Sequence, residues 1–134
     1  MKILVVGKGG REHALALAAS KSPLCTELYC APGNPGMAQI GTNVPIGDGD
    51  VEELKKFAVD NGIDLTIVGP ESSLAGGLVN EFQKAGLKVF GPTKEAAQVE
   101  SSKDFAKSLM KKYGIPTAAY ETFDEYEAAR AYVM

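Results

Sequence analysis

A glycine-rich turn near the start of the chain has the residue types and the spacing that bind an anion. Residues 3–6 are all apolar and predict a strand buried on both faces, and Gly7, Gly9 and Gly10 follow it. An alanine-rich helix is predicted over residues 11–20, apolar on nearly every side and so buried on more than one. Glycines let the backbone approach a ligand, and a helix N-terminus offers free N–H groups and partial positive charge. We therefore expect unpaired amides beside Gly9 and Gly10 to hold a phosphate group.

The turn differs from the dinucleotide fingerprint, so NAD is not the favoured ligand. That fingerprint has the pattern G-x-G-x-x-G and an acidic residue about 20 residues further on, which binds the ribose. Here Glu12 occupies the third glycine position, and the second predicted strand ends in Ala31-Pro32-Gly33 without an acidic residue. The alternative interpretation is that the glycines only form a tight turn between a strand and a helix.

Three further loops that follow predicted strands are rich in glycine and proline. They are Ala31-Pro-Gly-Asn-Pro-Gly36, Gly69-Pro-Glu71 and Gly91-Pro-Thr93. The carboxyl ends of parallel strands lie along one edge of an open α/β sheet, and ligands bind at that edge. We therefore expect Arg11, Asn34 and Glu71 to converge on one pocket.

Strands and helices alternate over the first hundred residues, which is typical of a parallel sheet covered by helices. Asp50 and Glu53 predict a capped helix, and one continuous helix is predicted to begin at a cap on Ser72 or Ser73. We expect an open, mostly parallel α/β sheet with helices on both faces, a Rossmann-like fold. Besides residues 3–6, its predicted strands are residues 26–30, 44–46, 63–68 and 87–90.

The character of the sequence changes after residue 100. A helix capped by Ser101 or Ser102, a strand over residues 118–123 and a last helix capped by Asp124 are predicted there. About 34 residues are too few for an independent core. We therefore expect two domains, residues 1–100 and residues 101–134, with the second belonging to a longer protein.

The composition argues against several classes of partner. A net charge of −3 and a pI of about 5.2 provide no basic surface for nucleic acid. No apolar run approaches the roughly 18 residues that cross a membrane. Cys25 and Cys30 lack neighbours that would complete a zinc site, so reduced thiols in the cytoplasm are expected. His13, the only histidine, is either a ligand contact or proton donor or a helix residue bonded to a nearby loop, and the second is favoured.

Five motifs occur in the order seen in a known enzyme family. They are Gly7-Lys-Gly-Gly-Arg-Glu-His-Ala14, Ala31-Pro-Gly-Asn-Pro-Gly36, Val68-Gly-Pro-Glu71, Phe90-Gly-Pro-Thr93 and Ser102-Lys-Asp-Phe-Ala-Lys107. With these motifs the whole chain resembles the N-terminal part of the glycinamide ribonucleotide synthetases, also called phosphoribosylamine–glycine ligases. One such motif would be weak evidence, whereas five in order over the full length are strong evidence.

The resemblance implies an ATP-grasp ligase of purine biosynthesis that uses ATP with magnesium or manganese. Such an enzyme converts glycine to glycyl phosphate, which the amine of 5-phosphoribosylamine attacks to give glycinamide ribonucleotide. By resemblance, residues 1–100 hold the phosphoribosyl substrate and Lys103 contacts ATP, where an ammonium group suits a phosphate. The substrate residues carried over by motif are Gly9, Gly10, Arg11, Glu12, Asn34, Pro35, Gly36, Gly69, Pro70 and Glu71.

No catalytic residue or metal ligand of that family is expected within these 134 residues, so the chain alone is expected to bind a phosphoribosyl compound weakly and not to turn over ATP. Three alternatives stay open. The first is another ATP-grasp ligase or carboxylase, against which the order of the motifs argues. The second is a non-catalytic module that binds a nucleotide or a phosphosugar. The third is a segment that only supports the packing of the complete enzyme.

Overall fold

The computed structural model describes all 134 residues, which form two units, Met1–Ala97 and Gln98–Met134. The strands are β1 (Lys2–Gly7), β2 (Glu27–Pro32), β3 (Thr42–Asn43), β4 (Leu65–Val68) and β5 (Val89–Phe90). The helices are α1 (Gly10–Ser20), α2 (Val51–Asp60), α3 (Glu71–Ala75), α4 (Leu78–Lys84), α5 (Lys94–Ser101), α6 (Lys103–Tyr113) and α7 (Tyr126–Val133), and a short 3-10 helix covers Met37–Gln39. No helix is both long enough and apolar enough to cross a membrane.

The five strands form one parallel sheet in the order β3-β2-β1-β4-β5. β1 is central, and its Val6 lies opposite Ala31 of β2 on one side and Val68 of β4 on the other. The chain crosses from β3 to β4 past the central strand, so the strand order reverses beside β1. The carboxyl ends of β1, β2 and β4 therefore meet at the switch point where open α/β sheets bind ligands. The predicted fold class is confirmed.

Helices cover both faces of the sheet and bury every residue of β1 except Lys2. α2 and α4 pack on one face and α1 on the other, which explains why residues 3–6 are apolar without alternation. The first face contains Leu4, Val6, Leu54 and Phe82, and the second contains Ile3, Val5, Ala16 and Cys30. Cys30 faces the core, and burial raises the pKa of its thiol to about 11.

Two helix starts that the sequence predicted are confirmed, and a side-chain cap is present at each. Asp50 accepts a hydrogen bond from the amide of Glu53 at 3.3 Å and begins α2. Ser102 accepts one from the amide of Phe105 at 3.2 Å and begins α6. Each cap satisfies an amide that has no acceptor within the first turn of its helix.

The single helix predicted after β4 is wrong, because two glycines divide it. α3 ends at Ala75 and α4 begins at Leu78. Between them Gly77 has a φ of +92°, a left-handed conformation that glycine adopts without steric cost and that interrupts a helix. The hydrophobic spacing continues across the break, so the pattern of apolar residues alone did not reveal it.

The predicted cap of this region on Ser72 or Ser73 is also wrong. α3 begins at Glu71, with Pro70 as its N-cap residue. Ser73 is buried, and its hydroxyl donates to the carbonyl of Asp48 at 2.6 Å. This serine therefore ties the loop before α2 to α3 instead of capping a helix.

Two predictions about the first unit, the position of β3 and the burial of α1, need correction. The strand predicted at residues 44–46 is β3 at Thr42–Asn43, because its register pairs Tyr29 with Thr42 and Cys30 with Asn43. α1 is not buried on more than one side, since Leu17 is 40% exposed. Only one face of α1 lies on the sheet, and the alanines on the opposite face are exposed.

The second unit contains no strand at residues 118–123, contrary to prediction. That segment has no neighbouring strand to pair with, and Lys107 of α6 instead donates to the Thr117 hydroxyl at 2.6 Å and to the Ala118 carbonyl at 3.2 Å. α7 begins at Tyr126, so the cap predicted at Asp124 is wrong as well.

A buried hydroxyl in β4 supports a stability prediction. Thr66 is 1% exposed, and its Oγ1 has no hydrogen-bond partner. An unpaired buried hydroxyl is costly, so Thr66→Val should raise the free energy of unfolding by about 1 kcal/mol, measured by urea denaturation. Thr42→Val on exposed β3 is the matched control and should change it by less than about 0.5 kcal/mol. A lower stability for Thr66→Val would contradict the assignment of an unpaired hydroxyl.

Candidate functional site

Backbone hydrogen bonds hold three loops side by side at the carboxyl edge of the sheet. Gly33, just after β2, donates its N–H to the carbonyl of Gly7 at 3.2 Å. Gly69, just after β4, donates to the carbonyl of Val6 at 3.1 Å. These bonds continue the strand pairing beyond the strands, so the loop after β1 lies between the other two.

Glu12 lies beneath this edge and is only 4% exposed. Its Oε2 accepts a hydrogen bond from the amide of Gly9 at 2.8 Å, and its Oε1 accepts one from Nε of Arg11 at 2.8 Å. The expectation of a free amide is therefore wrong for Gly9. The N–H groups of Gly10 and Arg11 open α1, where the helix itself supplies no acceptor.

The glycines around Glu12 leave room for its side chain. A Cβ atom on Gly7 would lie 2.4 Å from Cγ of Glu12, and one on Gly69 would lie 2.2 Å from its Oε1. Gly10 differs, because a Cβ there would have no atom within 4 Å. The glycines at positions 7 and 69 therefore allow a glutamate to pack between the ends of β1 and β4.

An ion pair crosses the switch point above Glu12. Nη2 of Arg11 donates to Oε2 of Glu71 at 3.0 Å and joins the N-terminus of α1 to that of α3. The hydrogen bond from Arg11 lowers the pKa of the Glu71 carboxyl, while the hydrogen bonds to Glu12 and then Glu71 raise the pKa of Arg11. The two side chains are 54% and 60% exposed, so both charges are accessible to a ligand.

Asn34 fixes the loop after β2 to the loop after β1. Its Nδ2 donates to the carbonyl of Lys8 at 2.9 Å, and its Oδ1 accepts from the amide of Met37 at 3.0 Å. Asn43, which the sequence did not single out, donates to the carbonyl of Asn34 at 2.8 Å. Only the register of β3 against β2 reveals this role, so no sequence signal would have found it.

His13 of α1 packs against the loop after β2. A Cβ atom on Gly36 would lie 2.4 Å from Cε1 of the His13 ring, so glycine at that position makes room for the imidazole. The ring is half-buried and makes no side-chain hydrogen bond. The predicted hydrogen bond from His13 to a nearby loop is therefore wrong, and the ring only packs against that loop at Gly36.

All the predicted substrate residues belong to the first unit, and their accessibility differs. The exposed ones are Gly9, Gly10, Arg11, Pro35 and Glu71; Asn34, Gly36 and Pro70 are half-buried; Glu12 and Gly69 are buried. Their contacts with a ligand stay a prediction. Lys103 is the exposed first residue of α6 in the second unit. The chain contains no group of three or more His, Cys, Asp or Glu side chains placed to hold a metal ion.

Comparisons with known proteins cover both parts of the chain. Residues 1–100 match the family model of the phosphoribosylglycinamide synthetase N domain, and residues 101–134 match that of the phosphoribosylglycinamide synthetase ATP-grasp (A) domain. The chain is 55% identical over 134 residues to a phosphoribosylamine–glycine ligase of Lactococcus lactis subsp. lactis, covering 99% of this chain and 32% of that protein. It is 53% identical over 129 residues to the ligase of Caldanaerobacter subterraneus subsp. tengcongensis, covering 96% of this chain and 31% of the relative.

A solved structure gives the same result. The crystal structure of a phosphoribosylamine–glycine ligase from Thermotoga maritima matches with a TM-score of 0.72 and 32% identity, covering 99% of this chain and 30% of that one. The chain therefore spans about a third of the length of the relatives that it matches.

Proposed function

The chain belongs to the phosphoribosylglycinamide synthetase family, and from that premise we propose that it is the N-terminal portion of a phosphoribosylamine–glycine ligase. The full-length enzyme would join glycine to 5-phosphoribosylamine with ATP, through a glycyl phosphate, in the purine biosynthesis of the cytoplasm. The first unit would hold the phosphoribosyl substrate at the carboxyl edge of its sheet. The second unit would begin the ATP-grasp domain.

The observation that carries this proposal is the accessible ion pair between Arg11 and Glu71 at the switch point. The guanidinium keeps N–H donors that neither Glu12 nor Glu71 uses, and these suit the oxygens of a phosphate. The carboxylate of Glu71 can accept a hydrogen bond from a ribose hydroxyl. The two groups together therefore fit a sugar phosphate better than either an uncharged sugar or a simple anion.

The amides that open α1 add to the attraction for a phosphate. They point out of the helix N-terminus, where the aligned peptide dipoles contribute partial positive charge. The loop around Asn34, Pro35 and Gly36 would form a further wall of the substrate site. Since Asn34 ties this loop to Lys8, the wall would be rigid before the substrate binds.

We assign ATP to the second unit through Lys103. Its ammonium is exposed in the first turn of α6, where it could pair with a nucleotide phosphate. The residues of this chain do not fit the magnesium or manganese ion that such a ligase would use, because they include no suitable cluster of ligands. The ion and glycine would be held by other parts of the full-length enzyme.

A binding titration tests the proposal on the 134-residue chain. Glycinamide ribonucleotide should bind with a Kd of about 0.1–1 mM, which corresponds to roughly 4–5.5 kcal/mol. NAD should not bind, because no acidic residue follows β2 to hold its ribose. Calorimetry with both compounds, and with adenosine as a control without phosphate, gives the comparison. Tight NAD binding without a response to glycinamide ribonucleotide would instead favour a nucleotide-binding module.

A further inference from the structure

Glu12 is a buried carboxylate that accepts a hydrogen bond from the exposed side chain of Arg11. We infer that Glu12 is a positioning residue, which orients the guanidinium of Arg11 toward the substrate and does not touch the substrate itself. This inference rests on the proposed function, since it concerns the same sheet edge. It differs from what the motif resemblance implies, namely that Glu12 itself lies at the substrate.

The geometry separates the role of Glu12 from that of its neighbour. Glu12 is 4% exposed, and each of its carboxylate oxygens already accepts a hydrogen bond from a group on this edge. The side chain of Arg11 is 54% exposed. A ligand arriving at the edge therefore reaches the guanidinium of Arg11 but not the carboxylate beneath it.

Arg11 needs such support because an arginine side chain on a surface has many rotamers. Glu12 holds Nε, and Glu71 holds Nη2 on the far side of the switch point. With these two contacts the plane of the guanidinium is fixed, while the remaining donors stay free. Holding a binding group in place before the ligand arrives reduces the entropy cost of binding.

A proton-exchange experiment tests the geometry without any ligand. The chain has two arginines, and Arg130 is the internal control because its closest carboxylate contact is 3.7 Å and involves Nη1. In nitrogen-15 NMR spectra, the Nε proton of Arg11 should exchange with water roughly tenfold more slowly than that of Arg130. Glu12→Gln should reduce the difference, because only one of the two terminal atoms of a glutamine side chain accepts a hydrogen bond and that atom carries no full charge. Equal exchange rates in the unmutated chain would overturn the inference.

The choice of Glu12→Gln follows from its two hydrogen bonds. A glutamine keeps the size of the side chain, but its NH2 group would face either the Gly9 amide or Nε of Arg11, which are both donors. Gly69→Ala disturbs the same hydrogen bond without changing Glu12 itself, because the new Cβ would lie 2.2 Å from the carboxylate oxygen that accepts from Nε of Arg11. If Glu12→Gln does not fold, Gly69→Ala supplies the test.

A double-mutant cycle tests the consequence in the full-length ligase. When Arg11 is unchanged, Glu12→Gln should lower kcat/KM for 5-phosphoribosylamine roughly tenfold. In an Arg11→Ala background the same substitution should lower it by less than about twofold. Glu81→Gln in α4, where a partly exposed carboxylate pairs with Lys84, is the control and should leave kcat/KM unchanged.

The outcomes of the cycle distinguish the two proposals. A merely structural role would give the same loss in both backgrounds and would overturn the inference. A lowered kcat/KM for Arg11→Ala with an unchanged value for Glu12→Gln would overturn the inference alone. An unchanged value for Arg11→Ala would overturn both the inference and the assignment of this edge to the substrate.

Discussion

Gly7→Ala is expected to lower the free energy of unfolding of the chain by about 3–4 kcal/mol. Gly7 has a φ of +123°, a conformation that a residue with a side chain rarely adopts and that costs about 1–3 kcal/mol. The new Cβ would also lie 2.4 Å from Cγ of Glu12 and 3.0 Å from Cδ of Pro70. Overpacking a closely packed site costs a further 1–3 kcal/mol or so. Both costs arise at the end of the central strand, so they should lower the stability of the whole sheet and not only of the turn.

Gly10→Ala is the matched control for this prediction. It belongs to the same turn, but its Cβ would meet no atom within 4 Å. It should change the free energy of unfolding by less than about 1 kcal/mol, and the change should stabilise because alanine restricts the unfolded chain. Urea denaturation followed by circular dichroism measures both variants. Similar midpoints for the two would contradict the described packing of Glu12 against Gly7.

Arg11→Ala is expected to raise the KM of the full-length ligase for 5-phosphoribosylamine about 100-fold. Two hydrogen bonds from a charged guanidinium to a phosphate contribute roughly 1.5 kcal/mol each, and their sum corresponds to that factor. The value of kcat should change little, because the group that binds the phosphate does not take part in forming the new bond. Steady-state kinetics with varied 5-phosphoribosylamine and saturating ATP and glycine measure the effect.

Two further measurements complete this experiment. Arg130→Ala in α7 removes the other arginine of the chain, whose nearest carboxylate is 3.7 Å away, and should leave the KM unchanged. Thermal unfolding of Arg11→Ala is needed as well, because the substitution leaves Glu12 with the Gly9 amide as its only hydrogen-bond donor. A folded variant with an unchanged KM would favour the alternative in which this segment only supports packing.

Local patterns were sufficient to predict most elements of the first unit. The apolar run before Gly7 identified the central strand, and Asp50 identified a helix start, because strand burial and helix capping act over a few residues. The errors occurred where distant parts of the chain decide the outcome. β3 lies at Thr42–Asn43 because of its register with β2, and the segment at residues 118–123 is not a strand because it has no neighbour to pair with.

The candidate site was only partly predictable for the same reason. The expectation that Arg11 and Glu71 converge followed from the rule that parallel strands end at one edge, and the 3.0 Å contact between them agrees with it. The hydrogen bond from Gly9 to Glu12 was missed. This bond spans three residues and is one half of a capping box at the start of α1, so the spacing of Gly9 and Glu12 was a usable local signal. What the local pattern did not show is that Gly69, far along the chain, leaves space for the glutamate to be buried. A local sequence pattern describes residues that are close along the chain, so it does not show the space that a distant residue leaves in the fold.

The position of β1 at the centre of the sheet has a consequence for synthesis on the ribosome. Its partner on one side, β4, begins only at Leu65, after every residue of β2 and β3 has been made. Until then a nascent chain presents one edge of an apolar strand with unpaired backbone groups, a surface on which other chains can aggregate. A chaperone that binds short apolar segments would protect this intermediate, and its need for the chaperone should end once β4 has emerged from the exit tunnel.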